Sequence, residues 1–88
     1  MRLYMAERAL PGVTLAQLDA AKRAVEETSR DFTAAGRAVR YLRSMFIPMD
    51  GHCMCLFEAD DAATVRAVNE TAGMPFTRIV EAEELSPS

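Results

Sequence analysis

The sequence has 88 residues, of which 50% are hydrophobic and 26% are charged, and its net charge is -3 at pH 7. A chain of this length forms one domain and buries only about 60–65% of its unfolded surface, so pairing with a second copy would add stability. The 10 basic residues are interspersed with 13 acidic ones. We therefore expect no basic face for phosphates, which excludes nucleic acid as a partner.

The first residues, MRLYMAERAL, are too charged for a secretion signal, and no apolar run approaches the ~18 residues of a membrane span. We therefore expect a cytoplasmic protein with no membrane partner and with reduced thiols. The two cysteines are separated by one residue. An extended strand holds such side chains about 6.6–7 Å apart, which is too far for an ordinary disulfide.

The first part of the chain predicts a strand followed by a long helix. Residues 3–9 indicate a strand that ends in a Pro-Gly turn. Thr14 is a suitable N-cap because Gln17, three residues later, completes a capping box. Apolar residues then recur at helical spacing as far as Gly36, a residue type that commonly follows a helix end.

The middle of the chain predicts a β-hairpin. Residues 38–49 are rich in aromatic and β-branched side chains, which favour a strand. Asp50-Gly51 is a strong signal for a hairpin turn of the type I′ family, and residues 52–59 form the returning strand.

A second helix and a last strand complete the chain. Asp60 or Asp61 caps the helix, which ends at Gly73, and residues 76–84 predict the strand. The resulting order is β-α-β-β-α-β. With right-handed crossovers, this order is the α+β, ferredoxin-like fold, with a four-stranded antiparallel sheet and two helices on one face.

We expect a single ferredoxin-like domain over residues 1–84 and a frayed polar tail over residues 85–88. The predicted strands carry apolar residues on both faces, whereas a strand with one buried face alternates with polar residues. The apolar strand residues are Leu3, Tyr4, Met5, Ala6, Tyr41, Leu42, Met45, Phe46, Ile47, Met54, Cys55, Leu56 and Phe57. We therefore predict a homodimer that forms through the sheet face that the helices leave uncovered.

The only histidine and both cysteines lie within four residues, at His52, Cys53 and Cys55. On a strand, the two cysteines share one face and His52 lies on the other. A soft-metal site needs three or four converging ligands, and no second cluster of such residues exists in the sequence. The pattern favours buried cysteines that fill the core. A metal site at these three residues is the alternative interpretation.

Charged residues inside the predicted strands form a second candidate site. Glu7, Tyr41, Arg43 and Glu58 fall on one alternation set. In a dimer they would line a ligand pocket between subunits, with Arg43 as an anion anchor and a carboxylate as base or ligand. The alternative is that these charges are solvated or form ion pairs at a dimer rim.

Four segments, YMAERALPG, VRYLRS, CLFEADD and AGMPFTRIVE, resemble in order and spacing a bacterial family of small ferredoxin-like nickel-binding proteins, long catalogued as a domain of unknown function. The resemblance extends over almost the whole chain. It implies a dimer of the α/β-barrel type, and it implies nickel as a possible cofactor, because some members bind nickel through histidines and carboxylates.

The resemblance also implies that most nickel ligands are replaced in this chain. Ala6 and Arg8 stand where relatives often have an acid and a histidine in the first strand. Lys22 and Asn69 stand where relatives have histidine in the helices, and Cys55 alone matches among possible ligands. Positive charge repels Ni²⁺, so we expect at most weak nickel binding.

Two functions follow from these observations. The first is a small homodimeric binding protein that holds a metal ion or a small ligand, with any nickel bound by His52 and a nearby carboxylate such as Asp50. The alternative is a cofactor-independent enzyme, because the topology resembles that of dimeric α/β-barrel monooxygenases and cyclases; in such an enzyme Tyr41, Arg43 and Glu58 would orient a small organic substrate. A subunit that only associates with a partner is a third possibility.

Overall fold

The structure is a computed structural model that describes residues 1–87, so Ser88, the last residue of the predicted tail, lies outside the described residues. The elements are β1 (Arg2–Ala9), α1 (Leu15–Ala34), β2 (Val39–Ile47), β3 (His52–Ala59), α2 (Ala62–Thr71) and β4 (Arg78–Ala82). The strands form one antiparallel sheet in the order β2-β3-β1-β4. The predicted β-α-β-β-α-β order and the α+β, ferredoxin-like class are confirmed.

Both helices begin at the predicted caps. The Thr14 hydroxyl accepts a hydrogen bond from the Gln17 backbone at 3.1 Å, and the Gln17 side chain accepts one from the Thr14 backbone at 2.9 Å. In α2 the cap is Asp61, whose carboxylate accepts from the Thr64 backbone at 2.8 Å. Each such cap stabilises its helix by about 1 kcal/mol. Among the described residues, neither helix is long and apolar enough to cross a membrane.

The turn between β2 and β3 differs from the predicted type I′ turn. Ile47 pairs with His52, so the connection is a four-residue loop, residues 48–51. A type I′ turn needs positive φ at both central residues. Gly51 has a positive φ of +71°, whereas Asp50 has an ordinary negative φ. The Asp50 carboxylate instead accepts a hydrogen bond from the His52 backbone at 3.0 Å, which stabilises the loop locally.

Gly51 also attaches this loop to the end of β1. The Leu10 backbone N–H donates a hydrogen bond to the Gly51 carbonyl at 2.8 Å. A Cβ atom at Gly51 would lie 2.8 Å from the backbone of Leu10 and 2.8 Å from Cα of Pro11. The position therefore requires glycine for two reasons, its positive φ and this close approach.

The core lies between the sheet and the two helices. Its members are Tyr4, Ala6, Val25, Val39, Cys53, Cys55, Phe57, Ala59, Val65 and Val68. Burying a side chain such as Phe57 or Val65 contributes roughly 1.5–3 kcal/mol. Along β3, alternate residues are buried, so the prediction that Cys53 and Cys55 fill the core is confirmed.

The opposite side of the sheet carries no helix within the described residues, and we call it the open sheet face. Paired residues of antiparallel strands share a face. The strand register assigns to this face Leu3, Met5, Glu7, Ala9, Arg40, Arg43, Met45, Ile47, His52, Met54, Leu56, Glu58, Arg78, Val80 and Ala82. The strands are therefore apolar on both faces, although the helices cover only one.

Candidate functional site

One end of the open sheet face holds a cluster of three ionisable side chains. The Glu7 carboxylate accepts a hydrogen bond from the Arg78 guanidinium, its neighbour on β4. A second Glu7 oxygen lies 3.8 Å from Nε2 of His52. The hydrogen bond from Arg78 is the main cause that lowers the pKa of Glu7, and the charges of Arg78 and His52 act in the same direction. Glu7 is therefore an anion at neutral pH, held between a guanidinium and an imidazole.

The other end of this face carries two further ion pairs. Glu58 lies 2.9 Å from Arg40, and Arg43 lies 2.7 Å from Glu84. These pairs are largely exposed, so each contributes only about 0–1 kcal/mol. Leu3 is the β1 partner of Glu58, which places Glu7 about 13 Å further along the strand. The four residues predicted to line one ligand pocket are therefore divided between the two ends of the sheet. They are Glu7, Tyr41, Arg43 and Glu58.

A β-bulge changes the predicted alternation of β2. Tyr41 pairs with Phe57, but the next pair joins Arg43 to Leu56, so Leu42 is an extra residue. Tyr41 consequently faces the helices with the buried Phe57, whose ring it contacts edge-on. Arg43 lies on the open sheet face. The expectation that both side chains share one face is wrong, because the alternation is interrupted between them.

An open groove along the edge strand β2 nevertheless brings three of the predicted residues together. It has a volume of about 970 Å³, runs between α1 and β2, and is lined by Tyr41, Arg43 and Glu58 among others. An edge strand is accessible from both faces, so side chains of opposite orientation reach the same groove. Glu7 does not line it.

Beneath α1, polar side chains extend from Tyr41 to the two thiols. The Tyr41 hydroxyl lies 2.5 Å from the Ser44 hydroxyl, which donates to the Cys55 sulfur at 2.9 Å. The sulfurs of Cys53 and Cys55 are 4.0 Å apart, within reach of a weak S–H···S hydrogen bond, and form no disulfide. Burial, and secondarily the neighbouring Cys55, raises the pKa of Cys53 to about 11. Cys53 is therefore a protonated thiol at neutral pH, which makes it a poor nucleophile and a poor metal ligand.

Nickel ligands do not converge within the described residues. No group of three or more histidine, cysteine, aspartate or glutamate side chains is placed there to hold a metal ion. His52 lies on the open sheet face, and the two thiols lie on the opposite face. The carboxylate next to the imidazole is that of Glu7, whereas Asp50 bonds only the His52 backbone. The donor set of one chain does not fit a nickel ion.

Sequence reasoning missed the role of Arg8 and of a smaller cavity. This cavity has a volume of about 230 Å³ and lies between α1 and the sheet. Aliphatic and aromatic side chains form most of its wall, and its polar lining includes Arg8, Tyr41, Ser44, Cys53 and Cys55. The signal was present in β1, where Arg8 continues the buried alternation of Tyr4 and Ala6.

The fold and these sites define a small ferredoxin-like α+β protein with one sheet face that no helix covers within the described residues. The chain belongs to the family described as nickel responsive protein SCO4226-like, whose model matches residues 4–82. The crystal structure of SCO4226 from Streptomyces coelicolor A3(2) is similar over 96% of this chain and 99% of that chain, with 26% identity and a TM-score of 0.81. No curated protein matches significantly. The family resemblance drawn from the four sequence segments is confirmed.

Proposed function

We propose that this chain is one subunit of a homodimeric binding protein, whose two open sheet faces pack together and whose ligand is a small molecule. The observation that carries the dimer is the apolar character of the open sheet face. Its apolar members are Leu3, Met5, Ala9, Met45, Ile47, Met54, Leu56, Val80 and Ala82. In the single chain, Met45 is 70% and Ile47 is 41% exposed. A contiguous apolar surface of this kind marks an interaction site.

Charge complementarity supports a second copy as the occupant of this face. Both ends of the open sheet face carry acidic and basic side chains, Glu7 with Arg78 and Glu58 with Arg40. In a two-fold dimer the same patch meets itself, so each charge of one copy has an opposite charge available on the other. The apolar centre and the mixed charges at both ends are therefore self-complementary.

Tight nickel binding is not part of this proposal. His52 is the only imidazole of the chain, and its neighbour Glu7 is already bonded to Arg78. A dimer doubles these groups but adds no new ligand type. We propose that nickel binds at most weakly, through His52 and Glu7, in this member of a family described as nickel responsive.

Native mass spectrometry of the untagged protein tests the dimer and its ligand together. We expect a complex of two 9.7 kDa chains and any retained small molecule as added mass. Met54→Asp places a charge on the open sheet face and should give single chains. Met49→Asp is the matched control, because Met49 is 95% exposed in the loop 48–51. Only single chains for the unaltered protein at micromolar concentration would refute the dimer.

The enzyme remains a second candidate, and the groove along β2 is the observation that favours it. Tyr41, Arg43 and Glu58 all line this groove, so residues with a hydroxyl, a cationic and a carboxylate group border one space. Oxygen consumption with a panel of small phenols tests a monooxygenase. Oxygen consumption that is lost in Tyr41→Phe would support the enzyme. Oxygen consumption no faster than in the absence of protein would exclude a monooxygenase.

A further inference from the structure

Arg8 is a buried cation with only neutral partners. It lies at the end of β1 and is 1% exposed. Its Nη1 donates to the Pro75 carbonyl at 3.0 Å, and its Nη2 donates to Oδ1 of Asn69 at 2.9 Å. Among the described residues, no aspartate or glutamate forms an ion pair with it. Its Nε is fully buried and has no hydrogen-bond partner within residues 1–87.

This arrangement leaves both a charge and a donor uncompensated. A guanidinium keeps its charge in proteins. A buried charge without a counter-ion is strongly unfavourable, and so is a buried donor without an acceptor. An anion next to Arg8 would satisfy both requirements at once.

The 230 Å³ cavity borders Arg8, which is part of its lining, and its volume is large enough for a small anion. The rest of the wall combines apolar side chains, such as Leu18, Val25 and Phe46, with the Ser44 hydroxyl. A mostly apolar cavity with a few polar groups is the usual composition of a small-molecule site. For comparison, an apolar cavity of about 150 Å³ holds one benzene molecule.

The charged residues of α1 that line the cavity do not neutralise Arg8. Asp19 and Lys22 both contribute to the wall. Asp19 is paired with Arg23 at 2.6 Å, and Lys22 lies 3.9 Å from Glu26 on the exposed side of the helix. The cavity therefore offers its ligand one buried, uncompensated positive charge.

We propose that this cavity binds a small carboxylic acid with an apolar body. The carboxylate lies against the Arg8 side chain, which lines the cavity, and the apolar body packs against Leu18, Val25 and Phe46. This inference names the class of small molecule in the proposed function and places it inside each subunit. It does not depend on the dimer, because the cavity is formed by one chain.

The test is an NMR titration of ¹⁵N-labelled, untagged protein with benzoate. Benzyl alcohol serves as the neutral control. We expect saturable shifts in the signals of the cavity residues and of the Arg8 Nε–H. Benzyl alcohol should bind about tenfold more weakly or worse, because it lacks the charge-assisted hydrogen bond. Equal affinity for the two compounds, no saturation at millimolar benzoate, or shifts confined to the open sheet face would each overturn the proposal.

Two variants connect the binding to this cavity. Arg8→Met should abolish the preference for benzoate over benzyl alcohol while leaving the chain folded. If Arg8→Met does not fold, Leu18→Trp provides the test, because the larger side chain fills the cavity from α1 and should weaken benzoate binding about tenfold or more. Unchanged benzoate binding in a folded variant would overturn the proposal.

Sedimentation of the same samples separates the two proposals. A dimer that does not bind benzoate refutes the carboxylic acid site and leaves the dimer intact. A single chain that binds benzoate refutes the dimer and leaves the site intact.

Discussion

His52 Nε2 lies 3.8 Å from a carboxylate oxygen of Glu7, across the β1–β3 pair on the open sheet face. The sequence placed these two residues in separate candidate sites, one for a metal and one for an organic ligand. Their proximity brings an imidazole and a carboxylate, two possible metal donors, together on this face. Two donors from one chain are nevertheless too few for a tight site.

Calorimetry with nickel checks this conclusion. We expect no binding tighter than micromolar, and the weak signal that remains should disappear in His52→Ala. Glu7→Gln should reduce it as well, whereas Asp50→Asn should not, because Asp50 bonds only the His52 backbone. A stoichiometric, sub-micromolar isotherm that His52→Ala abolishes would contradict the proposed loss of nickel ligands.

The buried thiols predict a packing role for cysteine. Cys53→Ala and Cys55→Ala should each lower the free energy of unfolding by about 1–2 kcal/mol, because each removes a buried sulfur. Denaturant unfolding measures this change, and the exposed Met49→Ala serves as a control with no expected effect. Native-state alkylation should be slow at both positions. Rapid labelling of both thiols would contradict their burial.

Stability should also fall at alkaline pH because of Cys53. Burial raises the pKa of this thiol from 9.0 to about 11 in the folded chain. Its contribution is complete below pH 9.0 and is lost as the pH rises towards 11, because the unfolded chain releases the proton first. Denaturant unfolding between these pH values should show the loss, and Cys53→Ala should reduce it. An identical pH dependence in the variant would exclude this cause.

Glu7 should make the free energy of unfolding fall at acid pH, whereas Cys53 makes it fall at alkaline pH. The hydrogen bond from Arg78 lowers the pKa of Glu7 below its ordinary value of 4.5. The resulting stabilisation is present above pH 4.5 and is lost as the pH falls through the lower, folded value. Glu7→Gln should therefore make acid unfolding less steep, and Glu83→Gln is a control at an exposed position. Equal slopes for the two variants would show that Glu7 contributes nothing specific.

The approach of the hairpin loop to β1 predicts that Gly51→Ala destabilises more than Gly12→Ala. Both glycines have positive φ, +71° and +75°, and the left-handed conformation alone costs an alanine about 1–2 kcal/mol. At Gly51 the added Cβ also meets the Leu10 backbone at 2.8 Å, whereas at Gly12 nothing lies within 4 Å. Thermal unfolding of the two variants measures the difference. Equal losses of stability in the two variants would mean that the hairpin loop moves away from β1 without a free-energy cost.

The features that the sequence predicted correctly depend on neighbouring residues. The capping box at Thr14 and Gln17 and the stop at Gly36 are local patterns, and so both ends of α1 were predicted. The spacing of Cys53 and Cys55, which puts them on one strand face, and the common burial of free cysteine were also sufficient to predict that both lie in the core, where β3 buries them. Strand ends were less accurate, because a strand ends where its partner ends. The predicted strand over residues 76–84 is found as Arg78–Ala82, and Ala82 pairs with Leu3 near the start of β1.

By itself, the sequence determined the order of the elements, the class of fold and the two-sided apolar character of the strands, because local propensity and side-chain periodicity encode them. The family came from the resemblance carried by four sequence segments. Only the tertiary structure decided where the strand alternation is interrupted and which partners the charged side chains have. The bulge at Leu42 depends on how β2 pairs with β3, and it separates Tyr41 from Arg43. The environment of Arg8 depends on Asn69 and Pro75, more than 60 residues away. Such contacts leave no periodic signal in the chain, since they arise only when distant elements pack.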